Sequence, residues 1–358
     1  MMDFRHFPLE AFLKKQEDAE KRLIAFYEGK GPRVAVSQRP GYQFTRALCR
    51  YRDRQLESEL DFLANCLNYD TDLLCTALEP WVGVGVYAAG FGAKYEWSDT
   101  DAPQTRPIIG SPDEIQNLRL KPLSEWEEMS EVIERIRYFK RETHGQMGIT
   151  LTDTQSPNDT ASLLMDSTEF FADCLAEPEA VEPLLNAVTD AIIQYSRIQM
   201  EEIGDLWAGP GHIAVSGRGV KGVTLSDDNL AILSPAAYRN ASAEYMQRVS
   251  SAFGGLYVHS CGLYTHNVPE LLKCEGLKML DCAIDKSADP CPNDPKKMAE
   301  ALKGRDDVIL QVRLSIHRGE VLKPLLDAGI RMHVLFGPDA DANLSNRLFA
   351  EFKEKYLA

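Results

Sequence analysis

The stretch GLYVHSCGLYTHNVPELLKCEGLKMLDCA, residues 255–283, contains two apolar runs with a helix-like segment between them. The runs GLYVH and LKMLDCA are short and rich in aliphatic or aromatic residues, as buried strands are. The intervening NVPELLKCEG ends on glycine, which is typical of a helix C-terminus. Because parallel strands need a crossover connection, usually a helix, this stretch predicts a strand, helix and strand of a parallel sheet.

The same alternation extends in both directions along the chain. Further strands are predicted at 33–38, 145–153, 307–316 and 330–337, with a strand and loop at 211–228, and helices at 53–78, 124–143, 167–178, 180–204, 234–254, 294–304, 318–329 and 343–358. About eight strand and helix units result, so the sequence predicts an α/β fold of the (β/α)8 TIM-barrel type. An open doubly wound sheet is the alternative.

Two segments do not follow this alternation of strands and helices. Residues 9–28 form a helical pattern before the first strand, which predicts an N-terminal helical extension. Residues 81–111 are rich in glycine and aromatic residues and predict an irregular insertion at the edge of a pocket. No stretch resembles a flexible linker, so we expect a single domain over residues 1–358.

The composition excludes several classes of function. A net charge of -15 and a pI near 5.0 argue against a nucleic-acid partner, which requires clustered lysine and arginine. The charged N-terminus lacks the apolar run of a signal peptide, and no later stretch is long and apolar enough to span a membrane. The eight cysteines have no regular spacing, which indicates reduced thiols and a cytoplasmic protein. The sequence leaves the oligomeric state open.

Residues able to ligate a metal follow the predicted strands. His259 and Cys261 are two apart, so both should project to the same face at the end of their strand. An imidazole and a thiol that converge suggest zinc, whereas a buried histidine and a buried cysteine are the alternative. The ends of the other strands add the following candidates: Asp227, Asp228, Cys282, His317 and Asp339.

The stretch LSDDNLAILSPAAYRNASAEYMQRVSSAFGGLYVHSCG, residues 225–262, resembles the second half of the uroporphyrinogen decarboxylase superfamily. In that superfamily an aspartate at a strand end precedes a helix beginning sPeeY and a strand ending HsCG. The segments GFGAKYEWSDTDAPQTRPII and LAEPEAVEPLLNAVTDAIIQYSRIQMEEIG are similar to the same superfamily, so the resemblance extends over about residues 60–350. It implies a TIM barrel.

Within the superfamily, the H-x-C sequence resembles the branch that transfers methyl groups between corrinoids and thiols of the coenzyme M type. The resemblance implies a catalytic zinc held by His259, Cys261 and Cys282, with His317 or Asp339 as a further ligand. Asp228 and Asp227 would then be catalytic residues, with Asp228 orienting a substrate polar group or a ligand. In that family a further cysteine ligand is expected near the last strand. This chain departs from that pattern, because no cysteine follows Cys291.

The implied reaction moves a methyl group from a corrinoid protein, or a similar donor, to a small-molecule thiol. Zinc suits this reaction because it stabilises a thiol as thiolate at neutral pH. A tetrapyrrole decarboxylase is the first alternative, with Arg39 and Tyr42 of the segment VAVSQRPGYQFTR as substrate-binding residues. One or two arginines are few for a substrate with many carboxylates. A barrel that binds a ligand without catalysis is the second alternative.

Overall fold

A computed structural model describes residues 3–40 and 49–357 of the chain. These described residues contain twelve strands: Val34–Gln38 (β1), Ala77–Leu78 (β2), Lys94–Glu96 (β3), Gln104–Arg106 (β4), Gly148–Ile149 (β5), Ala208–Gly209 (β6), Gly217–Arg218 (β7), Val223–Ser226 (β8), Leu256–His259 (β9), Leu277–Ala283 (β10), Ile309–Ser315 (β11) and Met332–Gly337 (β12).

Thirteen α-helices lie among the same residues, and several are single turns next to 3₁₀ segments. They are Leu9–Tyr27 (α1), Arg52–Cys66 (α2), Val86–Gly90 (α3), Glu127–Glu142 (α4), Pro157–Leu164 (α5), Ser167–Ala176 (α6), Pro178–Ile203 (α7), Pro235–Tyr238 (α8), Glu244–Phe253 (α9), Val268–Leu271 (α10), Pro295–Ala301 (α11), Lys323–Asp327 (α12) and Ala342–Leu357 (α13).

The central sheet has six strands in the order β1, β12, β11, β10, β9 and β8. All five neighbouring pairs are parallel. Helical segments connect β8 through β12, as parallel connections require. The predicted α/β class with a parallel sheet is therefore confirmed, and the predicted N-terminal helix is present as α1.

One face of the sheet changes from apolar to polar along its strands. Near the strand starts, Tyr257, Met279 and Ile309 form a core cluster with residues of α1. Two residues further along the same face of β9 and β10 come His259 and Asp281. The apolar cluster with α1 therefore lies at the strand starts, and the polar side chains of this face lie nearer the C-terminal ends of the strands.

The predicted helix over 234–254 shows how local sequence determines an element. The Ser234 side chain caps the helix by accepting a hydrogen bond from the Ala237 N–H, and Pro235 occupies the first helical position. A π-helical turn, Arg239–Ala243, joins α8 to α9. Gly254 ends α9 in the left-handed conformation with φ 73°.

We expect Ser234→Ala to lower the free energy of unfolding by about 1 kcal/mol, because the Ala237 N–H loses its partner. Urea denaturation measures the difference. Ser167→Ala is the matched control, since Ser167 is exposed and Asp166, not Ser167, caps its helix. Equal stability of the Ser234→Ala variant and the parent chain would contradict the role of this cap.

Several predicted elements differ from the observed ones. The helix predicted over 53–78 ends at Cys66, because the polar residues 68–72 form a turn in which the Asp72 N–H donates to the Val36 carbonyl. The strand predicted over 145–153 has only two paired residues, those of β5. The insertion over 81–111 is partly regular, since it contains α3 and the antiparallel pair of β3 and β4. No helix among the described residues combines the length and apolar character needed to cross a membrane.

Candidate metal centre and its pocket

Three possible metal ligands meet at the ends of β8 and β9. Asp228, His259 and Cys261 each offer an atom within 4.8 Å of the others. Ser226 pairs with His259 across the two parallel strands. Two residues further along each chain segment, Asp228 therefore lies beside Cys261. The Cys261 N–H donates to Asp228 Oδ1 at 2.7 Å, and Cys261 Sγ lies 3.6 Å from His259 Nε2.

A chain of buried hydrogen bonds across five strands fixes the orientation of His259. Its Nδ1 lies 2.6 Å from Asp281 Oδ2, and Gln311 Nε2 donates to Asp281 Oδ1 at 2.6 Å. Gln311 Oε1 in turn lies 2.8 Å from His333 Nδ1, and His333 Nε2 lies 2.9 Å from Ser37 Oγ. With Nδ1–H donated to the carboxylate, the Nε2 lone pair of His259 faces the other two ligands.

The buried Asp281 carries the charge on which this orientation depends. Burial alone raises the pKa of Asp281, but the Arg313 charge and the hydrogen bonds from His259 and Gln311 outweigh burial and lower the pKa to about 2. Arg313 Nε donates to Asp281 Oδ2 at 3.0 Å. Asp281 is therefore an anion at neutral pH and accepts the proton on His259 Nδ1.

The donor set of this group fits zinc. A carboxylate oxygen, an imidazole nitrogen and a thiolate sulfur are the three ligand types that zinc takes in proteins, whereas calcium and magnesium require mainly oxygen. Partial burial of the Cys261 thiol, and then the nearby Asp228 charge, raise its pKa to about 11. The residue as a whole is nevertheless exposed. The thiol is therefore protonated unless a cation binds it.

Cys282, the third predicted ligand, lies away from this group. Its side chain is fully buried in the main hydrophobic core, on the face of β10 opposite to Asp281. The reason is a register shift between Leu277 and Met279, after which Asp281 pairs with His259, whereas without the shift Leu280 would pair with His259 and Cys282 would share its face. Because side chains alternate along a strand, one extra residue exchanges the two faces. Burial also raises the pKa of the Cys282 thiol, which disfavours a thiolate there.

Asp227 also lies away from the group, although it precedes Asp228. Its carboxylate is fully buried and accepts hydrogen bonds from Asn158 Nδ2 at 2.8 Å and from the Tyr238 hydroxyl at 3.3 Å. Burial raises the pKa of Asp227 to about 7. Asp227 therefore holds the turn from which Asp228 projects, and its catalytic role stays a prediction.

His317 and Asp339, the predicted additional ligands, bind each other instead. His317 Nε2 lies 3.1 Å from Asp339 Oδ2, and the two side chains are 52% and 29% exposed. Neither is part of the three-residue group among the described residues. The strand ends from which they project, after β11 and β12, lie two and three strands away from β9 in the sheet.

Arg39, a predicted substrate-binding residue, lines a neighbouring cavity of about 620 Å³. Its Nη1 donates to the Ile213 carbonyl at 2.7 Å, and its guanidinium lies over the Phe62 ring. Tyr42 lies outside the described residues. The role of both in substrate binding stays a prediction.

The three-residue group opens into a cavity of about 450 Å³. Residues of the 81–111 insertion contribute to its wall, among them Trp81, Pro103 and Gln104. This agrees with the predicted position of the insertion at a pocket edge. Two other aromatic residues of the insertion, Tyr87 and Phe91, are buried in the core and do not line the cavity.

Sequence reasoning missed a second polar part of the cavity wall, which lies beside the group. His212 Nδ1 lies 2.8 Å from Glu79 Oε1, and its Nε2 lies 3.9 Å from Asp153 Oδ2. Burial disfavours the charged imidazole, but Asp153 and Glu79 outweigh burial and raise the pKa of His212 to about 9. Glu59 lines the same wall. These residues come from separate segments without a shared motif, so no local pattern indicates them.

Comparison with known proteins agrees with the fold. The family model described as Uroporphyrinogen decarboxylase (URO-D) matches residues 81–209. A solved structure of a methyltransferase from Methanosarcina mazei is similar, with a TM-score of 0.62 and 16% sequence identity over 94% of this chain and 99% of that chain. The search of curated proteins finds no match. The family match bears out the resemblance stated from the sequence, and the structural similarity shows a common fold.

Proposed function

We propose that this chain, of which residues 81–209 match the uroporphyrinogen decarboxylase family model, is a zinc-dependent methyltransferase with a thiol as methyl acceptor. The methyl donor would be a corrinoid carried on a partner protein or a similar compound. The observation that carries the proposal is the group of Asp228, His259 and Cys261, whose ligating atoms lie within 4.8 Å of one another at the wall of a cavity. The similarity in fold to a methyltransferase supports it.

Each residue of the group has a distinct part in this proposal. His259 and Cys261 supply nitrogen and sulfur ligands, and Asp228 supplies oxygen while its Oδ1 holds the Cys261 backbone. Bound zinc would stabilise an incoming thiol as the thiolate, the nucleophilic form. Asp281 keeps the proton of His259 on Nδ1, so that Nε2 is available as a ligand. The cavity beside the group provides room for the acceptor.

We also infer that the sheet closes into the eight-stranded barrel of the superfamily. Both edges of the six-stranded sheet have further neighbours, which supports closure. At the β1 edge the Asp72 N–H donates to the Val36 carbonyl at 2.8 Å, and at the β8 edge Ser226 bridges to Gln155 in parallel. The short pair of β2 and β5 continues to Trp207 through a bridge from Ile149.

The second candidate function is a lyase that decarboxylates tetrapyrrole carboxylates, because the matched family model bears that name. The charge of the cavity favours the methyltransferase. Glu79, Asp153 and Asp228 line the cavity, and a substrate with several carboxylates would meet like charges there. Arg39 lines the neighbouring cavity instead.

Metal analysis and an activity assay test the proposal together. Protein purified without a metal-affinity tag should contain near-stoichiometric zinc, and methyl transfer from methylcobalamin to a small thiol should stop when a chelator removes the metal. Restored transfer after zinc is added back is the control. Protein that takes up no zinc after reconstitution, or that converts uroporphyrinogen to a product with fewer carboxylates, would contradict the methyltransferase proposal.

A further inference from the structure

Two of the three residues in the candidate metal group lie at the surface of the protein. His259 is buried, and its ring is bonded to Asp281. Asp228 and Cys261 are both exposed, so packing restrains them less than it restrains His259. Ligands bind a metal tightly when the residues behind them hold them in place. The contribution of Asp228 to a metal site therefore depends on what holds its backbone.

Asp159, in α5, binds that backbone directly. Its Oδ2 accepts a hydrogen bond from the Asp228 N–H at 2.7 Å, and its Oδ1 accepts one from the Asn229 N–H at 2.9 Å. These two N–H groups begin the 3₁₀ turn Asp228–Ala231, and the first N–H groups of a helical segment have no partner within the segment. One carboxyl group thus fixes two successive peptide units at the point from which the Asp228 side chain projects.

Other side chains join α5 to the same turn. Asn158 Nδ2 donates to Asp227 Oδ1 at 2.8 Å. Asn229 Nδ2 donates to Ser162 Oγ at 3.0 Å. Hydrogen bonds from one helix therefore reach three successive residues of the turn, and the central one is the exposed metal ligand.

The position of Asp159 is costly for a carboxyl group. The residue is 5% exposed. Burial, and then the charges of Asp227 and Asp228, raise its pKa well above the ordinary value, and the two backbone N–H groups oppose this rise. A buried polar residue that is unfavourable by itself is typical of a functional site. The two N–H bonds are what this residue provides.

Asp228 connects the turn to the second exposed ligand. Its Oδ1 accepts a hydrogen bond from the Cys261 N–H at 2.7 Å. A turn that is free to move would displace the oxygen of Asp228 and would also release the backbone of Cys261. The loss of Asp159 should therefore affect two of the three ligands.

We propose that Asp159 is a positioning residue of the metal centre, which raises the affinity for zinc by holding Asp228 beside His259 and Cys261. Asp159 acts through Asp228, because its oxygens bind backbone N–H groups and it is not one of the three residues whose ligating atoms converge. The inference rests on the metal group of the proposed function. It does not depend on the identity of the methyl donor or acceptor.

A double-mutant cycle tests this role. Asp159→Ala should weaken zinc binding by about 10-fold or more, as the loss of residues that support a ligand does. In the Asp228→Ala background the same change should cost less than about 2-fold, because the residue through which Asp159 acts is already absent. Competition with a chromogenic chelator measures the zinc affinity of all four proteins. Equal losses in both backgrounds, or no loss in either, would overturn the proposal.

Asp166→Ala is the matched control for the cycle. Asp166 also accepts hydrogen bonds from two backbone N–H groups, those of Thr168 and Glu169, but at the start of α6 and outside the metal group. This variant should keep the zinc affinity of the parent protein. Asp159→Asn, which retains one acceptor oxygen, replaces Asp159→Ala in the cycle if circular dichroism shows that the alanine variant is unfolded, and the same coupled loss is expected.

Methyl transfer by the same proteins separates this inference from the proposed function. A coupled loss of zinc affinity in a protein that transfers no methyl group from methylcobalamin to a thiol would refute the methyltransferase and support the role of Asp159. Methyl transfer together with equal losses in both backgrounds would refute the role of Asp159 alone. A parent protein that binds no zinc would refute both.

Discussion

Replacing His259 with alanine is expected to lower the affinity for zinc by more than about 100-fold. Loss of a residue that only supports a ligand already costs about 10 to 100-fold in metal affinity, and a ligand itself should cost more. His259 is also the one ligand of the three that is buried, and Asp281 fixes its ring. Competition with a chromogenic zinc chelator measures the change.

The chain offers two controls for this prediction. Cys282→Ala and His317→Ala remove a thiol and an imidazole that the sequence suggested as ligands but that lie outside the group. Both variants should retain the zinc affinity of the parent protein, while Cys261→Ser should lose affinity as His259→Ala does. Equal affinities for His259→Ala and Cys282→Ala would mean that the metal site is elsewhere or absent.

Asp281→Ala should have the largest effect on stability, a loss of about 3 to 5 kcal/mol in the free energy of unfolding. Asp281 is fully buried and accepts hydrogen bonds from His259, Gln311 and Arg313. Removing one partner of a buried ion pair leaves the other charge without compensation, which is strongly destabilising. The Arg313 side chain is 16% exposed and would have little access to water.

Urea denaturation of the metal-free protein measures this loss without a contribution from zinc binding. Asp327→Ala is the matched control, because Asp327 forms an ion pair with Lys323 in which both side chains are more than 60% exposed. Exposed pairs contribute less than about 1 kcal/mol, so the control should be nearly as stable as the parent. Similar small losses in both variants would show that Asp281 is not the anchor of the buried network.

Much of the fold could be predicted because its signals are local. The capped helix that begins after Ser234 and the order of strands and helices from β8 to β12 follow from patterns within about twenty residues. The boundaries were less predictable around residues 66–78, where a turn fixed by contacts with β1 replaces the helical pattern. Such contacts join segments distant in sequence, and no periodicity encodes them.

The candidate site, like the fold, could be predicted only where its signals are local. His259 and Cys261 could be chosen because alternation along one strand places them on the same side of the chain, which the structure retains. The sequence predicts that Asp228 orients a substrate or a ligand near them. Its position beside both side chains, as a third metal ligand, depends on the pairing of β8 with β9. The wall formed by Glu59, Glu79 and His212 gave no signal, because its members are more than a hundred residues apart at the extremes.

A parallel α/β protein with an imidazole and a thiol at the end of one strand follows from the sequence alone. The neighbours of those two side chains depend on how the strands pair, which no local pattern encodes. A register shift after Leu277 turns Asp281 toward His259 and Cys282 into the core, so a carboxylate takes the place expected for a thiol. The physical reason is that alternation sets the relative direction of side chains within a strand, whereas strand pairing sets which face meets the next strand.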